Sequence, residues 1–320
     1  LYQYAQIGDP MKVVIFGSGG VGGYFGGKLA QVGEDVTFIA RGEHLKAIQA
    51  SGLKVSSVQG DFLIHPAQAT DSTESIGAVD LIILATKAWQ LDSAIEQIRP
   101  LIGENTAILP LLNGMEHIDI LVSAFGKEHV LGGLCRISTF VEEAGHIRHM
   151  GIQPIISFGE LDNTKTKRIE AIHKIFSKIE NITAEIPADI HTAMWEKIIL
   201  ISSTSGVGAV SRMPINQCRD IPEFRNMLIQ AMHETENVAR ARGALIAGDL
   251  VDGIMKRIDA TPTGMLTSMQ KDIMEGRPSE LDNQIGAVIR IGKTVNIPTP
   301  VHEKIYAELL PFEQKARGVK

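Results

Sequence analysis

The chain has 320 residues, 44% of them hydrophobic and 21% charged, a composition that supports buried cores and excludes disordered and fibrous classes. At roughly 100 to 200 residues per domain, the length points to about two domains. The 31 Lys and Arg against 37 Asp and Glu give a formal net charge of -6, which speaks against a nucleic-acid footprint.

Residues 1–10 precede Met11 and read as a start-site extension or vector remnant with no part in the fold. From Met11, short β-branched runs alternate with amphipathic helical stretches. KVVIFG is followed by a helix to about Gln31, DVTFIA by a helix from Glu43, and LIILAT (81–86) by a helix from Ala88 to Ile98. TAILPLLNG (106–114) then leads into a helix from Met115 to Ala124. This alternation predicts a parallel sheet covered by helices on both faces. LKVSSV and DFLIH read as a hairpin inserted at the sheet's edge, and residues 130–158 as further strands. Pro110 lacks a ladder donor, so its strand is expected to bulge or to end at an edge there.

After EIPAD (185–189) the pattern becomes helical almost to the end, with prolines such as Pro222 and Pro300 between helices. The expected architecture is α/β: a Rossmann-type dinucleotide-binding domain over residues 11–187, followed by an all-α C-terminal domain over 188–320. Lys165, Lys167 and Arg168 form the one local basic cluster and read as a solvated helix start. Cys135 and Cys218 cannot build a disulfide framework, and no secretory pattern opens the chain, so a reducing cytoplasm is expected. The longest apolar stretches, 80–85 and 198–201, fall far short of the ~20 residues that span a bilayer, so no membrane partner is expected.

Gly17-x-Gly19-x-x-Gly22 stands directly after a strand and at the start of a helix. In that place Gly17 permits a tight turn, Gly19 clears the approach of a pyrophosphate, and Gly22 lets the helix close on the strand. The N–H groups of the turn, through Ser18, Gly20 and Val21, then hold the phosphates. The second strand ends in Arg41 with no carboxylate, since Asp35 precedes the strand and Glu43 lies in the next helix. A cation there favours the 2′-phosphate of NADPH/NADP+ over NAD.

Lys87 and Asn113 emerge at the carboxyl ends of later strands, where ligands of such sheets sit. Lys87 reads as a surface residue or as positive charge for an anionic ligand; Asn113 reads as a turn residue or as a partner for a ribose or a substrate. Lys197 lies in AMWEKIILIS, amid apolar neighbours, where a lysine either snorkels to water or is kept for chemistry. A partly desolvated lysine can protonate the alkoxide formed when a ketone accepts hydride. Ser268 and Glu280 read on pattern as helical surface residues, or as a substrate contact and a carboxylate that holds Lys197. His146 and His149 lack a third ligand, so no metal is expected. The methionines and Trp89 read as packing residues.

Taken together, the Gly17–Gly22 turn, Arg41, TKAWQ (86–90), LLNGM (111–115), WEK ending at Lys197, and TSMQKDIMEGRPSELD (267–282) resemble the ketopantoate reductase (2-dehydropantoate 2-reductase) family over nearly all of residues 11–310. The resemblance implies a dinucleotide domain joined to a helical domain, NADPH read by Arg41, and Lys87 and Asn113 at cofactor and substrate. It implies Lys197 as general acid, Glu280 as its tuning carboxylate, and Ser268 as a substrate contact. The family commonly has asparagines four and eight residues after the catalytic lysine; here those positions are Ile201 and Ser205, with Ser202, Ser203 and Thr204 as nearby hydroxyls. The expected substrate is a small 2-keto acid, 2-dehydropantoate first and another keto acid or an imine as the alternative. A non-catalytic NADPH sensor is the reading from another class. The helical domain's apolar faces suit a homodimer.

Overall fold

The computed structural model describes residues 9–319 except 262, 263 and 265; the expected extension falls mostly outside them, at residues 1–8. The chain divides into two compact units, one holding the chain up to Leu112 together with His117–Ile190, the other Asn113–Glu116 together with the chain from His191 onward.

The first unit opens with β1 (Lys12–Phe16), α1 (Gly20–Gln31), β2 (Asp35–Ile39) and α2 (Gly42–Ser51). Next come β3 (Leu53–Ser57), β4 (Phe62–Ile64), β5 (Gln68–Thr70), β6 (Leu81–Leu84), α3 (Leu91–Ile98), β7 (Ala107–Pro110) and α4 (Glu116–Phe125). Two long strands, β8 (Leu131–Glu143) and β9 (His146–Glu160), precede α5 (Lys167–Ser177) and β10 (Thr183–Glu185). Five strands form a parallel sheet in the order β5-β2-β1-β6-β7.

Alternation along the central strands explains the layers. Val13 and Ile15 of β1 and Leu81 and Ile83 of β6 enter one core cluster, whereas Val14, Phe16, Ile82 and Leu84 enter another. Each strand is therefore buried on both faces, which is why β1 and β6 read as continuous apolar runs. One face is covered by α3, through Leu91, Ala94, Ile95 and Ile98. The other is covered by α1, a second sheet and α5.

Helix α1 lies between the two sheets, and its glycines set how closely. A Cβ on Gly26 would stand 2.5 Å from the Ile15 side chain of the first sheet, and one on Gly23 would stand 2.8 Å from Ile147 of the second. The expected hairpin is real but does not sit at the edge of the parallel sheet. β3 and β4 pair antiparallel within a second sheet of order β10-β9-β3-β4, in which β8 also pairs with β9. Leu53, Val55 and Phe62 bury against the α1 core there. The edge beside β2 is instead taken by β5, a short polar strand that no pattern marked. Pro110 closes β7, the opposite edge, as its missing N–H requires. Arg168 corrects the solvated reading of the basic cluster: its guanidinium is partly buried and clasps Glu160 at 2.5 Å.

The second unit is helical: α6 (Ile190–Ser211), α7 (Ile215–Cys218), α8 (Pro222–Ala241), α9 (Leu250–Ala260), α10 (Ser268–Met274), α11 (Ala287–Thr294) and α12 (Pro300–Ala316). Pro222 and Pro300 open their helices, where a missing N–H costs nothing. Asp282–Gly286, just before α11, winds as a π-turn, a local widening often found at functional sites. No described helix is long and apolar enough to cross a membrane.

Candidate active site

The strand order reverses at β1, whose neighbours are β2 on one side and β6 on the other. Crevices of this kind, at the carboxyl ends of a parallel sheet, take dinucleotides. Gly17 turns there with φ +98°, and a Cβ on it would stand 2.8 Å from the backbone nitrogen of Thr86, just beyond β6. A Cβ on Gly22 would lie 2.1 Å from the Gly17 carbonyl oxygen, so the helix closes tightly on its turn. Gly19, in contrast, faces open space. It is the N-cap of α1 and offers no side-chain cap, and the first turn carries no acid. No side chain caps the leading N–H groups at Gly20, Val21 and Gly22, and such an uncapped positive helix end suits an anionic ligand.

Two side chains flank this cradle with unspent hydrogen-bonding capacity. Thr86 Oγ1 and Thr139 Oγ1 are buried without a partner among the described residues, and the Thr139 carbonyl oxygen would lie 2.7 Å from a Cβ on Gly20. Orphaned hydroxyls beside an open glycine turn fit a polar ligand such as a dinucleotide. The turn is itself anchored. Ser18 is buried, and its Oγ donates to the Ile39 carbonyl at 3.1 Å. Gly145 N–H donates to His44 Nδ1 at 3.0 Å, so the other nitrogen, 2.8 Å from the Ser18 carbonyl, carries the proton and donates. Sequence reading missed His44, since a histidine on an exposed helix gives no periodic signal.

Arg41 is exposed, caps α2 in an extended conformation and donates to Gln97 Oε1 at 2.9 Å. Lys87 is exposed beyond β6; its backbone N–H donates to Gln90 Oε1 at 3.2 Å, and its ammonium lies 5.6 Å from the centre of the Trp89 ring. Trp89 is therefore a partly exposed partner of a cation and not a core packing residue.

The second unit holds the remaining candidates. Asn113 groups with this unit and not with the sheet from which its segment emerges. Its Nδ2 donates to Glu280 Oε2 at 2.9 Å, and Gln284 Nε2 donates to the same oxygen at 3.3 Å. Glu280 is 4% exposed. The π-turn brings Gln284 back to Glu280, and Gln284 Oε1 is left buried without a partner among the described residues. Ser279 fixes the segment from behind: its N–H and Oγ donate to Glu313, and its carbonyl accepts from Arg317. Gln284 and Glu313 were both missed by sequence reading.

Lys197 is partly buried on α6, among Met194, Trp195, Ile198 and Ile199, all of which are core residues. Four residues on, Ile201 is partly buried, and Ser205 is buried. Two of the neighbouring hydroxyls are engaged elsewhere. Thr204 Oγ1 donates back to the Leu200 carbonyl at 2.7 Å, and Ser202 Oγ sits 3.3 Å from Thr235 Oγ1 in a core network with His302 and Glu234. Ser203 Oγ is buried and unpartnered among the described residues. Ser268 is exposed at the first position of α10, behind the capping residue Thr267. His146 and His149 bond Ser56 Oγ at 2.9 Å and Ser57 Oγ at 2.8 Å, and no metal-holding group of side chains occurs among the described residues.

A parallel sheet with a glycine turn at its reversal point, and a helical unit carrying a lysine and a buried carboxylate, define the class of two-unit oxidoreductases that bind a dinucleotide. Family models described as ketopantoate reductase PanE/ApbA and its C-terminal part match residues 13–163 and 189–313, and the chain belongs to the ketopantoate reductase family. It is 31% identical to an uncharacterized oxidoreductase, YkpB, of Bacillus subtilis, over 95% of this chain and 99% of that one. The solved 2-dehydropantoate 2-reductase of Geobacter metallireducens superposes with a TM-score of 0.87 at 31% identity, covering 93% of this chain and 99% of that one. D-mandelate dehydrogenase, solved with NADH and anilino(oxo)acetate, gives a TM-score of 0.84 at 25% identity, over 96% and 99%.

Proposed function

We propose that the protein reduces a 2-keto acid with NADPH, and that 2-dehydropantoate, giving (R)-pantoate on the route to pantothenate and coenzyme A, is its substrate. The observation that carries this reading is the Asn113–Glu280 pair in the same unit as Lys197. Two side-chain amides converge on one oxygen of this buried carboxylate and fix where it stands. In this reading Glu280 is the anion that orients and tunes the Lys197 ammonium.

NADPH, when bound, supplies the hydride that reaches the ketone carbon. The chain's own residues do the rest. Gly17, Ser18, Gly19, Gly20, Val21 and Gly22 bind the pyrophosphate, Arg41 meets the 2′-phosphate, and Lys87 and Asn113 bind cofactor and substrate. Lys197 stabilises the developing alkoxide by its charge and then gives it a proton. Ser205 and Ser268 contact the keto acid. Cytoplasmic residence and a homodimer belong to the same proposal.

Ile201 favours a second reading, a 2-keto acid with an apolar side chain in place of the hydroxylated pantoyl group. A substrate hydroxyl left unpaired costs about 1–3 kcal/mol, and the hydroxyls of Ser202 and Thr204 are engaged elsewhere. Specificity constants for ketopantoate, 2-ketoisovalerate and pyruvate, each with NADPH and with NADH, separate the readings. Preference for ketopantoate with NADPH is expected. Preference for 2-ketoisovalerate would move the substrate to the second reading, and binding of NADPH with no turnover on any keto acid would reject both in favour of a sensor.

A further inference from the structure

We propose that Gln97 is a positioning residue for Arg41 that sets how strongly the protein prefers a 2′-phosphorylated dinucleotide; this rests on the reading of Arg41 as the 2′-phosphate cation. An exposed arginine can adopt many rotamers, and ordering it on a ligand costs entropy that weakens binding. Arg41 does not lie loose. Its Nη2 donates to Gln97 Oε1 at 2.9 Å, a tie between the loop after β2 and the helix α3.

The Gln97 amide has one allowed orientation. Its Nε2 donates to the Ser93 carbonyl at 3.0 Å within the same helix, so Oε1 must be the atom that faces the guanidinium. The flipped amide would set oxygen against carbonyl oxygen and N–H against N–H. The backbone is pinned as well, because Thr73 Oγ1, in a buried residue, donates to the Gln97 carbonyl at 2.6 Å. Gln97 therefore offers a fixed acceptor at a fixed place.

Its neutrality matters as much as its position. A carboxylate in this role would hold Arg41 more firmly but would cancel the charge a phosphate needs. Of the acids close in sequence to Arg41 and Gln97, Glu43 pairs with Lys46 at 2.7 Å and Glu96 with Arg99 at 3.2 Å. Arg41 is thus braced by an amide while its charge remains for an incoming anion. The five donors of the guanidinium leave a free edge for bidentate contact with phosphate after one is spent on Gln97.

The test uses equilibrium binding of 2′,5′-ADP and 5′-AMP to the full chain by calorimetry, with Gln97→Glu and Gln97→Leu, so that the readout needs no substrate. Wild type is expected to bind 2′,5′-ADP more tightly. Gln97→Leu should lower that preference by about three- to tenfold, the worth of one positioning hydrogen bond, and Gln97→Glu by more than about tenfold through competition for the guanidinium. The affinity for 5′-AMP should not move in either variant, whereas a merely structural defect would weaken both ligands. If wild type prefers 2′,5′-ADP and both variants keep its preference, or if both ligands weaken together, the role of Gln97 is overturned and that of Arg41 stands. If wild type shows no preference, the Arg41 reading fails and this inference with it.

Discussion

The side-chain amide of Asn113 donates to the carboxylate of Glu280 at 2.9 Å, joining residues 167 positions apart. Glu280 is buried, and Gln284 also donates to it, from farther away at 3.3 Å, so Asn113 is the stronger of these two supports. A hydrogen bond to a buried charge is worth about 1.5–3 kcal/mol. Asn113→Ala is therefore expected to lower kcat/KM roughly ten- to hundredfold. Asn113→Asp makes a sharper test, because two carboxylates at that distance cannot both ionise and one is pushed to bind a proton. The variant's activity should fall as pH rises past the upper step of the pair, with partial recovery in more acid buffer. A flat loss at every pH would mean that Asn113 acts by shape alone.

How far these features could be read beforehand depended on the kind of signal each left. The glycine turn between β1 and α1 was legible because Gly17, Gly19 and Gly22 occur where a strand passes into a helix, and local spacing fixes the shape of that turn. The parallel sheet was legible for a similar reason: β1 and β6 are buried on both faces and carry continuous apolar runs. β5 was not, because three residues of Gln-Ala-Thr at an edge need no apolar pattern. The hairpin of β3 and β4 showed its strands but not its sheet, since its partner β9 lies about ninety residues on, with Ser56 opposite Arg148. Asn113 and Glu280 were each recognisable as candidates, but their hydrogen bond is a tertiary fact. Gln97, His44 and Glu313 act through hydrogen bonds to segments far along the chain, and Gln284 through a bond closed by a π-turn, and neither periodicity nor a local motif marks such contacts.

Lys197 carries the heaviest expectation. A general acid contributes about 10²–10⁴ in rate, and the charge on Lys197 should add to that through the alkoxide it stabilises. Lys197→Ala is expected to lower kcat by at least that range while NADPH binding, followed by the fluorescence of the reduced nicotinamide, stays within a few-fold of wild type. Lys197→Arg keeps the charge but barely gives up a proton, so it should restore substrate affinity more than turnover. Turnover near wild type in the alanine variant would remove Lys197 from the chemistry.

Tyr24, in α1 behind the phosphate turn, gives a pH dependence whose sign can be worked out. Its ring is fully buried against Phe25 and Phe62, its hydroxyl donates to Gln59 Oε1 at 3.2 Å, and burial pushes the phenol up to about 12. In the unfolded chain a tyrosine loses its proton near pH 10. Between these values the unfolded state releases a proton that the folded state retains, so the contribution of Tyr24 to stability is complete below about 10 and is lost as pH rises towards about 12. A spectrophotometric titration of tyrosinate, subtracting Tyr24→Phe from wild type, should show a component with its midpoint near 12. A difference centred near the ordinary tyrosine value of about 10 would show the ring to be open to water.

The last expectation concerns the support behind Glu280. Ser279 spends its polar groups on α12 and its end: Oγ donates to Glu313 Oε2 at 2.6 Å, the N–H donates to both Glu313 oxygens at 3.1 and 3.0 Å, and the carbonyl accepts from Arg317 at 3.0 Å. Glu313 is 5% exposed and also receives Arg317 Nε at 2.5 Å, so an arginine shares the load on its charge. Ser279→Ala removes one charge-assisted bond and the acceptor of the Leu281 N–H at 3.2 Å, keeps the backbone pair, and should cost about 1.5–3 kcal/mol in urea unfolding. Glu313→Ala removes at once the acceptor of the Ser279 N–H and Oγ and of Arg317 Nε; a loss of about 3–5 kcal/mol is expected. Because the clamp fixes the residue next to Glu280, Ser279→Ala should also lower kcat more than it raises the KM for the keto acid. If it lowers stability by that amount while kcat stays at the wild-type value, the clamp holds the fold together without placing Glu280.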